Sequence, residues 1–114
     1  MTRQDRYKDR VAETLADLAW VTSGAVLGCR GCLSRVPMVA ERTVEDWIER
    51  VETPHFSWHP CGLCRSPLSG HRSPAHGIDP SQEIVHLEIC DDCVRYLADG
   101  TIPEVVLKPD GIFV

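Results

Sequence analysis

Apolar positions recur along this chain at two spacings, and the change from one to the other marks its elements. Near the start, Tyr7, Val11, Leu15, Leu18 and Thr22 fall three or four residues apart, which predicts a helix over residues 5–23 that ends at Ser23-Gly24. Ala25 to Val39 has no such period, carries Gly28, Gly31 and Pro37, and reads as loop. A second helix is predicted over Val44–Val51. There Val44, Trp47, Ile48 and Val51 form one stripe with Trp47 as core anchor, Thr43 is the N-cap, and Glu45 and Asp46 fill the first turn. Thr53-Pro54 stops it.

The period then drops to two. Val85, Leu87 and Ile89 alternate with His86 and Glu88, the pattern of a half-buried strand. With Leu68–Ile78 as its partner arm and Asp79-Pro80-Ser81 as the turn, this predicts a β-hairpin. Asp91–Asp99 reads as a short helix, with Asp91 and Asp92 complementing its dipole and Gly100 as its stop. Beyond it, Val105–Lys108 and Ile112–Val114 flank Pro109-Asp110-Gly111, which predicts a closing β-hairpin whose apolar end packs on the domain or pairs with a partner's strand. The expected class is a small α+β domain. Its parts are an N-terminal helical stretch at 1–54, a central module at 55–100 and a C-terminal hairpin at 101–114.

Cysteine usage sharpens the picture. All six cysteines sit in Cys-x-x-Cys pairs, Cys29/Cys32, Cys61/Cys64 and Cys90/Cys93. Linking two cysteines three apart is strained and closes a very short loop, so the pairing favours a metal over disulfides. Two such pairs complete a tetrahedral Zn²⁺ site at about 2.3 Å from each sulfur. Cys61, Cys64, Cys90 and Cys93 are the first choice, because a hairpin and a helix start lie between and at the pairs: a knuckle, a hairpin, then a helix carrying the second pair is the order of a treble-clef fold. The competing set joins Cys29/Cys32 to Cys61/Cys64, across a segment that carries a helix signal instead. Cys29 and Cys32 then remain as an unligated pair, as a partial site completed on dimerisation, or as ligands of a second Zn²⁺ with two histidines. The chain offers His55, His59, His71, His76 and His86, of which His55 and His59 lie nearest the Cys61 turn in sequence. One zinc is expected, with room for two.

Charge and catalytic patterns narrow the function. The formal net charge is −5, which does not favour a phosphate backbone, although Arg65, His71, Arg72 and His76 gather basic or titratable groups on one hairpin arm. Arg3, Arg6, Lys8 and Arg10 interleave with Asp5 and Asp9 and read as a solvated face. With no signal-like start and no apolar run of membrane length, the expectation is a reducing, cytoplasmic setting and no membrane. Pro60-Cys61-Gly62-Leu63-Cys64 lacks the upstream His-x-Glu of a zinc deaminase, since His86-Leu87-Glu88 follows it. Cys29-Arg30-Gly31-Cys32 lacks the βαβ setting of a thioredoxin-like motif. The hairpin histidines lack the partner on the helix that a treble-clef nuclease needs. A four-thiolate zinc has no open position, so such a site is structural.

The run from His55 through Pro60-Cys61-Gly62-Leu63-Cys64, Leu68–Arg72 and Cys90-Asp91-Asp92-Cys93 to Gly100 resembles small cysteine-rich proteins of actinobacteria and their bacteriophages. The resemblance implies a zinc-binding module over residues 55–100 and a phage-related origin, and implies no reaction. The expected function is a non-enzymatic, zinc-stabilised protein-interaction module, pictured as a phage-type protein that binds and modulates a host or defence protein. Trp20, Trp58, Tyr96 and Ile112–Val114 are its candidate contacts. The alternative is a zinc-dependent nucleic-acid-binding regulator.

Overall fold

The computed structural model describes residues 2–103 and Val106. Its elements run α1 (Arg3–Leu15), β1 (Ala19–Ser23), α2 (Arg30–Arg35), α3 (Val44–Glu52), β2 (His55–Ser57), β3 (Gly70–Ile78), β4 (Ile84–Cys90) and α4 (Asp91–Asp99). The class is α+β with one antiparallel sheet. Strand β3 is its centre. Strand β4 pairs along one edge from Arg72↔Cys90 to Ile78↔Ile84. On the other edge β2 pairs with Gly70–Arg72 and β1 with Ala75–Ile78.

The first helix is shorter than its apolar period predicts. A reciprocal cap between Thr2 and Asp5 starts it, and Tyr7 and Val11 bury their side chains. It ends at Leu15, because the β-favouring Trp20-Val21-Thr22 run joins the open edge of β3 instead of continuing the helix. The pairing slips between Ala19 and Thr22, where Trp20 takes a left-handed φ of 57°. The Cys29–Cys32 stretch, expected as loop, forms the short helix α2 with Cys29 at its N-cap. Helix α3 forms as predicted, its Thr43 hydroxyl accepting the Asp46 N–H.

Alternation in the hairpin sends two side-chain sets to opposite faces. Ala75, Leu87 and Ile89 pack with Tyr7 and Val11 of α1 and with Cys61, Leu63, Cys64 and Cys93. The opposite face carries the cross-strand pairs Pro74↔Glu88 and His76↔His86. There Trp47 and Val51 of α3 cluster with Cys29 and Cys32. The hairpin turn is held by Asp79, whose Oδ1 accepts the N–H groups of Ser81 and Glu83 at 2.9 Å each. The C-terminal hairpin expected over residues 101–114 lies outside the described residues, except for Val106. That residue is buried, and its N–H donates to the Pro103 carbonyl, a one-turn contact rather than a cross-strand one. No described helix is long and apolar enough to cross a membrane.

Burial makes a contrast between tryptophans testable. Trp47 is fully buried and its indole N–H donates to the Val36 carbonyl at 2.6 Å, whereas Trp58 is 79% exposed. Trp47→Ala is expected to cost about 3–5 kcal/mol in urea unfolding, and Trp58→Ala less than about 0.5 kcal/mol. Equal losses would contradict this placement of α3.

Candidate metal centres

The first cluster forms where a knuckle meets the end of the hairpin. Cys61 and Cys64 flank a turn closed by Arg65 N–H to the Cys61 carbonyl, and the Gly62 N–H donates to the Glu88 carbonyl of β4 at 2.9 Å. Cys90 ends β4 and caps α4, which places Cys93 in the first turn of that helix. The four sulfurs all lie within 4.8 Å of one another. Cys61–Cys93 is 3.7 Å and Cys64–Cys90 is 4.0 Å. Tetrahedral coordination at about 2.3 Å spaces sulfurs about 3.8 Å apart, so the set matches one shared ion. Backbone hydrogens already point at one sulfur: Leu63 and Cys90 N–H approach Cys61 at 3.4 Å, and the Tyr7 hydroxyl shares a 3.2 Å hydrogen bond with the Cys93 sulfur.

A second cluster lies on the other face of the sheet. Cys29 and Cys32 approach the cross-strand pair His76 and His86, again with every ligand atom within 4.8 Å of the others. Cys29 Sγ is 3.3 Å from His86 Nδ1, Cys32 Sγ is 3.2 Å from His76 Nε2, and the two nitrogens are 3.1 Å apart. Gly31 makes this approach sterically feasible. A Cβ there would stand 2.6 Å from His86 Cγ, so any side chain would displace the ring. Gly28 acts differently, adopting a left-handed φ of 93° just before Cys29 that suits glycine.

Crowding sets the protonation of the metal-free clusters. In the first, hydrogen bonds from the neighbouring cysteines hold Cys61 well below the ordinary thiol range, while hydrogen bonds to Cys61 and Cys64, together with burial, push Cys90 and Cys93 above it. In the second, burial pushes Cys32 up to about 11. Burial opposes ionisation of Cys29 as well, but hydrogen bonds from the Cys32 backbone and His86 outweigh it and lower that thiol. The hydrogen bond to Glu88 raises His86, and burial lowers His76.

Of the five histidines, the two brought to cysteines are the hairpin pair, not His55 and His59, whose proximity in sequence pointed to them. His55 lies on β2 opposite Arg72, and His59 is exposed. The signal was present: with Asp79–Glu83 as the turn, counting outward places position 76 across from 86. The basic set disperses. Arg72 and His76 are buried, whereas His71 and Arg65 stay exposed, Arg65 in an ion pair with Glu13. Tyr96 is half-buried and meets buried Tyr7 edge-on, packing against the first core. The chain matches no protein-family model, no curated protein and no solved structure.

Metal ligation requires thiolates, and Cys90, Cys93 and Cys32 hold their protons at neutral pH in the metal-free chain. Binding is therefore expected to release these protons, and affinity to fall as pH falls, by up to about tenfold per pH unit for each proton displaced. Calorimetric titration with Zn²⁺ in buffers of differing ionisation enthalpy would show it as a buffer-dependent heat. A heat that is the same in every buffer would refute this protonation pattern.

Proposed function

We propose that the chain is a non-enzymatic protein-interaction module stapled by Zn²⁺, with the knuckle, the β3–β4 hairpin and α4 forming a treble-clef-type unit around Cys61, Cys64, Cys90 and Cys93. One observation supports this reading: the four cysteine sulfurs all lie within 4.8 Å of one another, close enough to be the four ligands of one ion. Such a centre has no open position for substrate or water, and its role is to hold the fold. Zinc is favoured over other first-row metals by the all-thiolate tetrahedron. Structural zinc contributes about 10–16 kcal/mol in small zinc-folded peptides, comparable to the whole stability of an ordinary domain.

The interaction surface is supported by aromatics that the core does not use. Phe56 and Trp58 meet edge-on at 5.0 Å and are 52% and 79% exposed, and Trp20 is 85% exposed on a left-handed residue. Holding Trp20 in that conformation costs on the order of 1 kcal/mol. Exposed aromatics with few rotatable bonds are the residue type that anchors protein interfaces. The resemblance to phage-borne proteins points to a host or defence protein as the partner. Nucleic-acid binding is the weaker reading, because Arg72 and His76 are buried and exposed Arg65 is paired with Glu13, which reduces what the basic arm offers to phosphates.

Capture from a host lysate on the immobilised zinc-loaded chain tests the reading. Expected is a discrete protein, retained by the native chain and lost with Phe56→Ala/Trp58→Ala. Capture of no protein, or of nucleic acid with an affinity that climbs steeply as salt is lowered, would overturn it. Stripping the metal with a strong chelator is expected to abolish the cooperative thermal transition. Its survival unchanged would refute the staple.

A further inference from the structure

We propose that Cys29 Sγ, Cys32 Sγ, His76 Nε2 and His86 Nδ1 form a second zinc site, that Glu88 positions His86 for it, and that this site fastens the α2–α3 layer to the sheet. The inference builds on the zinc-stapled reading but concerns separate residues on the opposite face of the hairpin.

The geometry converges where a chain of hydrogen bonds would not. Cys32 Sγ is approached by both rings, at 3.2 Å from His76 Nε2 and 3.5 Å from His86 Nδ1, and the same His86 nitrogen lies 3.3 Å from Cys29 Sγ. Four ligand atoms that all lie within 4.8 Å of one another surround a point. With zinc at about 2.3 Å from sulfur and about 2.0–2.1 Å from nitrogen, tetrahedral S···N and N···N separations are about 3.6 and 3.3 Å. The observed contacts lie within a few tenths of an ångström of those values. Two thiolates also neutralise Zn²⁺, so this centre can be buried with no net charge, unlike a four-thiolate one.

Glu88 completes the argument. Its Oε1 accepts a hydrogen bond from His86 Nε2 at 2.8 Å, which puts the ring proton on Nε2 and leaves the Nδ1 lone pair directed at the sulfurs. A carboxylate behind a metal-bound histidine fixes ring orientation and increases its basicity. Glu88 is in turn faced by Arg35 of α2 at 3.9 Å, and Arg35 also donates to the Val51 carbonyl of α3. The ligand, its orienting carboxylate and that carboxylate's cation thus come from the sheet and from the layer fastened to it.

X-ray absorption at the zinc edge of the full chain, purified under reducing conditions, tests the site without mutation. Expected are two zincs per chain with an average of about three sulfurs and one nitrogen each, the mean of an S₄ and an S₂N₂ centre. One zinc per chain with sulfur alone would overturn the proposal and leave the first staple standing, whereas no metal would remove both. His86→Ala is expected to release one zinc and keep an all-sulfur site, with amide exchange over residues 30–52 accelerated about tenfold or more and that of Asp91–Asp99 unchanged. Retention of both zincs by His86→Ala would refute the ligand assignment. Gly31→Ala, which forces the ring aside without removing a donor, is expected to weaken the same site. Glu88→Gln should lower affinity there by about 10–100-fold in chelator competition, and Glu88→Asp should recover part of it. An affinity unchanged in Glu88→Gln would reduce Glu88 to a packing residue.

Discussion

Four cysteine sulfurs held within 4.8 Å in a buried setting pose an electrostatic problem. Ionised together, they repel; protonated together, they place weak donors against weak acceptors where stronger pairings are lost. The metal-free chain compromises by ionising Cys61 and keeping Cys90 and Cys93 protonated. A divalent cation removes the conflict, and the rest of the fold is arranged to keep those sulfurs together. Tyr7 and Val11 of α1, Ala75 and Ile89 of the hairpin, and Leu63 of the knuckle close over the cluster as one core. Burial of this small core alone leaves little margin in a chain of 114 residues, which is where a metal contributes most.

The β3–β4 hairpin links this core to everything else. Its period of two sends Ala75, Leu87 and Ile89 to one side and His76, His86 and Glu88 to the other, while its last residue, Cys90, enters the first cluster. A shift of one residue in its register would exchange the two faces and dissolve both clusters at once. The Asp79 turn, with its three hydrogen bonds to Ser81 and Glu83, is therefore as important to the metal geometry as any ligand. The two sides are mechanically coupled through one strand pair.

Much of this was legible in the sequence. The hairpin, α3 and α4 follow from alternation, a 3.6-residue stripe and cap residues, and Cys61, Cys64, Cys90 and Cys93 meet as their spacing predicts. The misses share a cause. Periodicity extends helix α1 through Leu18 and Thr22 because it cannot register that β3 offers an open edge to Ala19–Ser23. Likewise β2, three residues long, exists only because β3 pairs with it. Nearness along the chain points to His55 and His59 among the five histidines, whereas register across the hairpin brings His76 and His86 together. Non-local pairing decided each case, and the sequence carries it only through the partner strand.

Native mass spectrometry of the chain, purified under reducing conditions and compared with the same sample after denaturation, tests the central claim most directly. The account predicts a native mass higher by two zinc ions, and a denatured mass equal to that of the fully reduced chain. Coincident masses, or a denatured mass lowered by the hydrogens lost to disulfides, would contradict it.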